Sequence, residues 1–111
     1  MDLVTRLYDR FNAQDIDGLF KLLVPDIIWA NGMEGGHVTG YDEVRMYWTR
    51  QWQLFRPRVT PLSWISSEDV IEVRVRQQAF SLSGDKLADS EVYHLFKCVD
   101  GKIARFDIAE K

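Results

Sequence analysis

Two periodicities divide this chain. Before Pro57 the apolar residues recur every three or four positions, and after it they recur every second. The first spacing is that of a helix face and the second that of a strand with one side buried. Val4, Leu7, Tyr8 and Phe11 predict an amphipathic helix over 2–12. Asp15 is placed to cap a second helix over 16–23, with Ile16, Leu19, Phe20 and Leu23 inward and Pro25 as its stop. Residues 26–31, "DIIWAN", read as a short strand, and a glycine-rich loop follows. A third helix is expected from about Gly40, started by Thr39 and Asp42 at capping spacing, with Val44, Trp48, Trp52 and Phe55 on its inner face.

The second half reads as a meander. Strands are predicted over 58–66, 70–82, 87–99 and 102–109, with Pro61 marking an edge. Ser83-Gly84-Asp85 and Asp100-Gly101 are hairpin turns. In the long strand the apolar positions run Ile71, Val73, Val75 and then Phe80, Leu82. That change of parity predicts a bulge at Gln77 and Gln78. Helices followed by a run of strands give an α+β class, and a bent sheet can wrap the helices into a cone with one open end.

Alternation also assigns faces. Ala88, Ser90, Val92, His94, Phe96 and Cys98 share one side of their strand, Ala104, Phe106 and Ile108 one side of the last, and Ile27, Trp29 and Asn31 one side of the first. His94 and Asn31 are the clear polar groups in this inward set, among Trp29, Trp48, Trp52 and Tyr8. Polar groups from separate strands converging with aromatics is the profile of a concave ligand site. Each has a plainer alternative: a core histidine satisfied by its neighbours, a turn-forming asparagine, and core tryptophans.

Composition sharpens this picture. At 111 residues the chain has the size of one domain, and its 13% aromatic content is rich for that length. A net charge of −3 with scattered basic residues offers no nucleic-acid stripe. One cysteine, Cys98, fits a reducing compartment, and Asp2 and Arg6 interrupt any leader-like start. No apolar run approaches the ~20 residues that span a bilayer. A cytoplasmic protein with neither membrane nor nucleic-acid partner is expected.

The stretch "WANGMEGGHVTGYDEVRMYW" carries four glycines with Glu34 and His37 among them. It has neither phosphate-loop nor dinucleotide-loop spacing. Glu34, His37 and His94 lack the spacings of a zinc site. No metal and no cofactor are therefore expected. The loop reads as a connector whose Glu34 and His37 border a pocket mouth.

"FNAQDIDGLFKLLVPDIIWAN", a glycine opening a helix, and the terminal "HLFKCVDGKIARFDI" together resemble the SnoaL-like branch of the nuclear transport factor two-like superfamily, which includes ketosteroid isomerases, polyketide cyclases and scytalone dehydratase. The resemblance covers nearly the whole chain and implies a single domain over 1–111. It implies three N-terminal helices packed in a cone of strongly curved mixed or antiparallel sheet (a cystatin-like α+β barrel), a homodimer, and a pocket inside the cone. The general-base aspartate of the isomerases falls on Asn31, their second aspartate on His94, and their helix-one tyrosine on Leu7 or Tyr8. An amide takes no proton at neutral pH, so that isomerase route loses its base.

The expectation is a small-molecule-binding protein with a hydrophobic pocket. If it is an enzyme, the chemistry is isomerase, cyclase or dehydratase-like on a flat apolar molecule. His94 is the acid/base candidate, and Trp29, Asn31, Glu34, His37, Trp48, Trp52, Phe96 and Phe106 are the pocket candidates. The alternative is a noncatalytic dimerisation or partner-binding domain. An open cavity beside His94 favours the first, and a cone plugged by the tryptophans favours the second.

Overall fold

A computed structural model describes residues 2–110. The elements run α1 (Leu3–Asn12), α2 (Ile16–Phe20), β1 (Leu23–Ala30), β2 (His37–Thr39), α3 (Gly40–Leu54), β3 (Arg56–Ser67), β4 (Val70–Phe80), β5 (Lys86–Val99) and β6 (Lys102–Glu110). The strands form one six-stranded sheet in the order β2-β1-β6-β5-β4-β3. Only β1 and β6 pair in parallel. The edges β2 and β3 do not meet, so the sheet is open and not closed into a barrel. Among the described residues no helix is long and apolar enough to cross a membrane.

The helices form where the 3.6-residue pattern and the caps coincide. The Asp2 carboxylate accepts the Thr5 N–H at 2.8 Å and opens α1, whose buried face is Val4, Leu7 and Tyr8. Asp15 accepts the Gly18 N–H at 3.0 Å and opens α2. A Cβ on Gly18 would collide with that carboxylate, which is why the position takes glycine. The helix stops at Phe20 rather than residue 23, because Leu22 and Leu23 are drawn into the core and β1 starts before Pro25. Pro25 is accommodated where the β1–β6 register breaks between Leu23 and Ile28. At α3 the expected Thr39–Asp42 cap is absent. Glu43 instead reaches back and accepts the Thr39 N–H at 2.9 Å.

The glycine loop is a hairpin rather than a free connector. Asn31 accepts the Gly35 N–H and donates its own N–H to Gly36, both at 2.9 Å, and His37–Thr39 then pairs back along β1. Gly35 and Gly36 have φ of 84° and 72°, the left-handed region that a side chain resists.

Strand registers show where alternation holds and where it slips. Gln77 pairs regularly with Val59 and Ser90, and Gln78 with Arg58 and Asp89, so the expected bulge at these glutamines is absent. The β4–β5 register shifts later, between Ala79 and Phe80, where Leu87 is the extra residue. A second shift leaves Ala104 unmatched and turns Ile103, 1% exposed, into the core in its place. Asp100 and Gly101 both take positive φ, as a two-residue hairpin requires.

Inside, Trp48 is wholly buried and meets Trp29 edge-on at a centroid distance of 5.1 Å, with Trp52 stacked at 6.0 Å. α1 crosses the outer end of the sheet. There the Asn12 side-chain amide bonds both the N–H and the C=O of Val59 on β3, at 2.9 and 2.8 Å.

Candidate functional site

Between α1, the second half of α3 and the inner sheet face lies a cavity of about 190 Å³, lined largely by apolar and aromatic side chains. The tryptophans do not plug it. Trp29 lines it, whereas Trp48 and Trp52 are not part of its lining and form the packed layer behind it.

His94 sits at the centre of β5, opposite Val73 on one side and Ile108 on the other, and is 4% exposed. Its ring meets Phe106 edge-on at 4.8 Å and lies parallel to Tyr8 at 5.8 Å. Two hydrogen bonds hold it. Nδ1 is 2.7 Å from the Tyr8 hydroxyl, and Nε2 is 3.0 Å from Oε1 of Gln77. A carboxamide oxygen only accepts, so Nε2 carries the proton and donates to Gln77. Nδ1 is then the acceptor for the Tyr8 O–H. Burial pushes the His94 pKa down to about 3, and burial raises that of the Tyr8 phenol, so both groups are neutral at ordinary pH. Among the described residues the cavity lining contains no aspartate or glutamate.

The rim has its own polar pair on α3. The Tyr47 oxygen accepts the Gly32 N–H at 3.0 Å and the Gln51 amide N–H at 3.3 Å. Burial raises the Tyr47 phenol pKa.

Of the residues singled out by sequence, the cavity brings together Trp29, His94, Phe96 and Phe106. The others lie elsewhere. The Asn31 side chain is not in the lining, because its Oδ1 is spent on the Met33 and Glu34 N–H groups at 3.0 and 2.9 Å. Glu34 points into solvent with Arg50 at 3.4 Å and does not approach His94. His37 lies outside the lining and donates from Nε2 to the Asp107 carboxylate at 2.7 Å, which Arg105 also grips at 2.8 Å. Cys98 is half-buried, and burial followed by the charge of Asp69 raises its thiol pKa, the reverse of an activated nucleophile.

Gln77 and Tyr47 are polar lining residues that the sequence did not single out, whereas Gln51 lies on the α3 face expected to point inward. For Gln77 a signal existed: it keeps the odd parity of Val73 and Val75, and is an inward amide rather than a bulge. For Tyr47 the helical spacing to Val44 and Gln51 was the available hint.

The SnoaL-like domain family matches residues 4–106. A nuclear transport factor two-like protein of unknown function from Burkholderia pseudomallei is similar in structure, with a TM-score of 0.85 and 24% identity over 98% of this chain and 88% of that one. TerC, solved with polyporic acid, has a TM-score of 0.85 and 23% identity over 98% and 88%. A protein from Sinorhizobium meliloti designated a polyketide cyclase has a TM-score of 0.82 and 22% identity over 96% and 92%. The comparison with curated proteins gives no match.

Proposed function

Since the chain belongs to the SnoaL-like domain family, we propose that its cavity binds a flat, mainly apolar small molecule by a single carbonyl or hydroxyl at its deep end. The observation that carries this is the Tyr8–His94–Gln77 hydrogen-bond chain standing in a largely apolar, carboxylate-free cavity. A volume of about 190 Å³ suits roughly one or two rings. The chain has two polarities. As described above, Tyr8 gives its proton to His94 and turns lone pairs toward the cavity, where it accepts from a ligand hydroxyl. With the Gln77 amide reversed, His94 donates from Nδ1 to the Tyr8 oxygen, and Tyr8 donates to a ligand carbonyl. Neither state needs a charged group in the interior, where charge is costly.

The second state is also the chemistry available for catalysis: a carbonyl polarised by Tyr8 with His94 behind it. Abstraction of a proton by a carboxylate, the isomerase route, has no agent in the lining. TerC carries polyporic acid in a comparable fold, and ligand-holding in this chain is an extension of that by analogy. The test is calorimetric titration with flat ketones, 2-acetylnaphthalene first, against wild type and Tyr8→Phe. Binding weakened about tenfold by the substitution supports the reading. Equal binding removes Tyr8 from the site.

A homodimer through the outer sheet face belongs to the same reading. Tyr93 and Leu95 lie there among Arg74, Glu91 and Lys97, with Arg74 and Glu91 3.3 Å apart. An aromatic and aliphatic centre with a charged rim suits an isologous contact. Sedimentation that finds monomer alone at micromolar concentration would refute it. The free Cys98 favours a cytoplasmic setting.

A further inference from the structure

The rim pair on α3 holds an unfilled hydrogen-bonding capacity that the deep chain does not explain. Gln51 Oε1 is buried and has no partner, although Gln51 lines the cavity and its amide nitrogen is engaged with Tyr47. Tyr47 is already an acceptor twice, from Gly32 and from Gln51, which leaves its own O–H proton to be given away. The pair therefore holds one spare donor and one spare acceptor side by side at the cavity wall, the Gln51 oxygen being covered until its amide swings toward a ligand. Turning the Gln51 amide over changes the offer to donors alone, which a hydroxyl still fills by accepting. Tyr47 would then donate to the Gln51 oxygen, and the amide N–H groups would be the ones left open.

A buried acceptor without a partner is costly, and native interiors hold few such groups. A carbonyl filling the rim would satisfy the Tyr47 proton and leave the Gln51 oxygen orphaned. An ammonium would do the reverse and bring a charge into an apolar cavity. A hydroxyl is donor and acceptor at once and satisfies both. Tyr47 is held in position for this by the Gly32 N–H.

We propose that Tyr47 and Gln51 form a second polar subsite that receives a ligand hydroxyl, so that the cavity selects flat molecules carrying a carbonyl or hydroxyl at the deep end and a hydroxyl at the rim. This rests on the binding reading of the previous section. It assigns the specificity for the hydroxylated end to Gln51, and the positioning of the received group to Tyr47.

The experiment compares 2-acetylnaphthalene with its 6-hydroxy and 7-hydroxy derivatives, by calorimetry, on wild type, Gln51→Met and Tyr47→Phe. Wild type should bind at least one hydroxy derivative about tenfold more tightly than the parent ketone. Gln51→Met should abolish that preference, so that the hydroxy derivatives and the parent ketone bind this variant with equal affinity. Since methionine removes an orphaned acceptor at similar bulk, its thermal midpoint should equal or exceed that of wild type, which separates lost binding from lost fold. Tyr47→Phe should also reduce the preference. Neither hydroxy isomer being preferred by wild type, or a preference that survives in Gln51→Met, overturns the subsite and leaves the deep-end reading standing. No binding of any of the three probes overturns both.

Discussion

The hydroxyl of Tyr8, on the first helix, lies 2.7 Å from Nδ1 of His94, on the fifth strand, 86 residues later in the chain. This contact couples the seating of α1 to the protonation of the sheet's one buried histidine. A change on either side is felt on the other.

Replacing His94 by Phe keeps the bulk and removes both hydrogen bonds. The Tyr8 O–H and the Gln77 amide then lose their buried partner, so the variant should fold with a loss of about 1–3 kcal/mol. Its affinity for 2-acetylnaphthalene should drop about tenfold. Urea unfolding and calorimetry on the same preparation measure both, and undiminished affinity would return His94 to a purely structural role.

The histidine also fixes a pH window. In the unfolded chain its pKa is near 6.5, and in the folded protein burial lowers it to about 3. Between those values the unfolded state binds the extra proton and the folded state does not. The contribution is therefore fully present above about 6.5 and is lost as pH falls toward 3, with a limiting slope of about 1.4 kcal/mol per pH unit. Carboxylates add their own acid sensitivity. The quantity to measure is the stability difference between wild type and His94→Phe, by urea unfolding at pH 7 and 4.5. That difference should move against wild type as the solution becomes more acid. A constant difference would mean that His94 is not held neutral.

Gln77→Glu places a carboxylate where an amide oxygen now faces Nε2 at 3.0 Å. An anion there favours the imidazolium, so the His94 pKa should rise by more than one unit. Imidazole resonances followed by NMR across pH 3–8 report it directly. The substitution would convert a neutral hydrogen-bond chain into an acid/base pair, and a histidine that still titrates near 3 would show that the two side chains do not face each other in solution.

Trp48 is the hub of the helical layer, touching Phe11, Phe20, Trp29 and Trp52. Trp48→Ala should cost about 3–5 kcal/mol in urea unfolding. Trp52→Ala, at a half-buried position, should cost visibly less, and a reversed order would contradict the packing described here.

Much of this architecture was legible in the chain because burial enforces period. The helical faces of α1 and α3, the four strands after Pro57 and the Asp100-Gly101 turn follow from spacing and turn chemistry alone. His94 was legible as an inward polar residue for the same reason. What escaped depended on interactions that spacing does not encode. Asn31 has the parity of a pocket residue, but it follows the last residue of β1, and its side chain is captured by the N–H groups two and three positions on. Ala104 lost its inward place to Ile103 through a register shift invisible in one strand. Gln77 broke an apolar pattern, and a break is equally consistent with a bulge or with a polar group lining a cavity. Only the partner strand decides, and it pairs without interruption. Tyr8 and His94 meet because α1 is laid across the sheet, a relation between elements and not within one.

The amide of Asn12 closes on Val59 as a neighbouring strand's peptide group would, giving and taking one hydrogen bond. α1 thereby acts as a stopper on one half of the β3 border. The other half, Leu62 to Ser67, has no charged residue, and its Leu62, Trp64 and Ile65 are exposed. A foreign strand that zips onto the β3 edge begins there and halts at Asn12, so the reach of ladder growth on this edge is set by one side chain on the opposite layer.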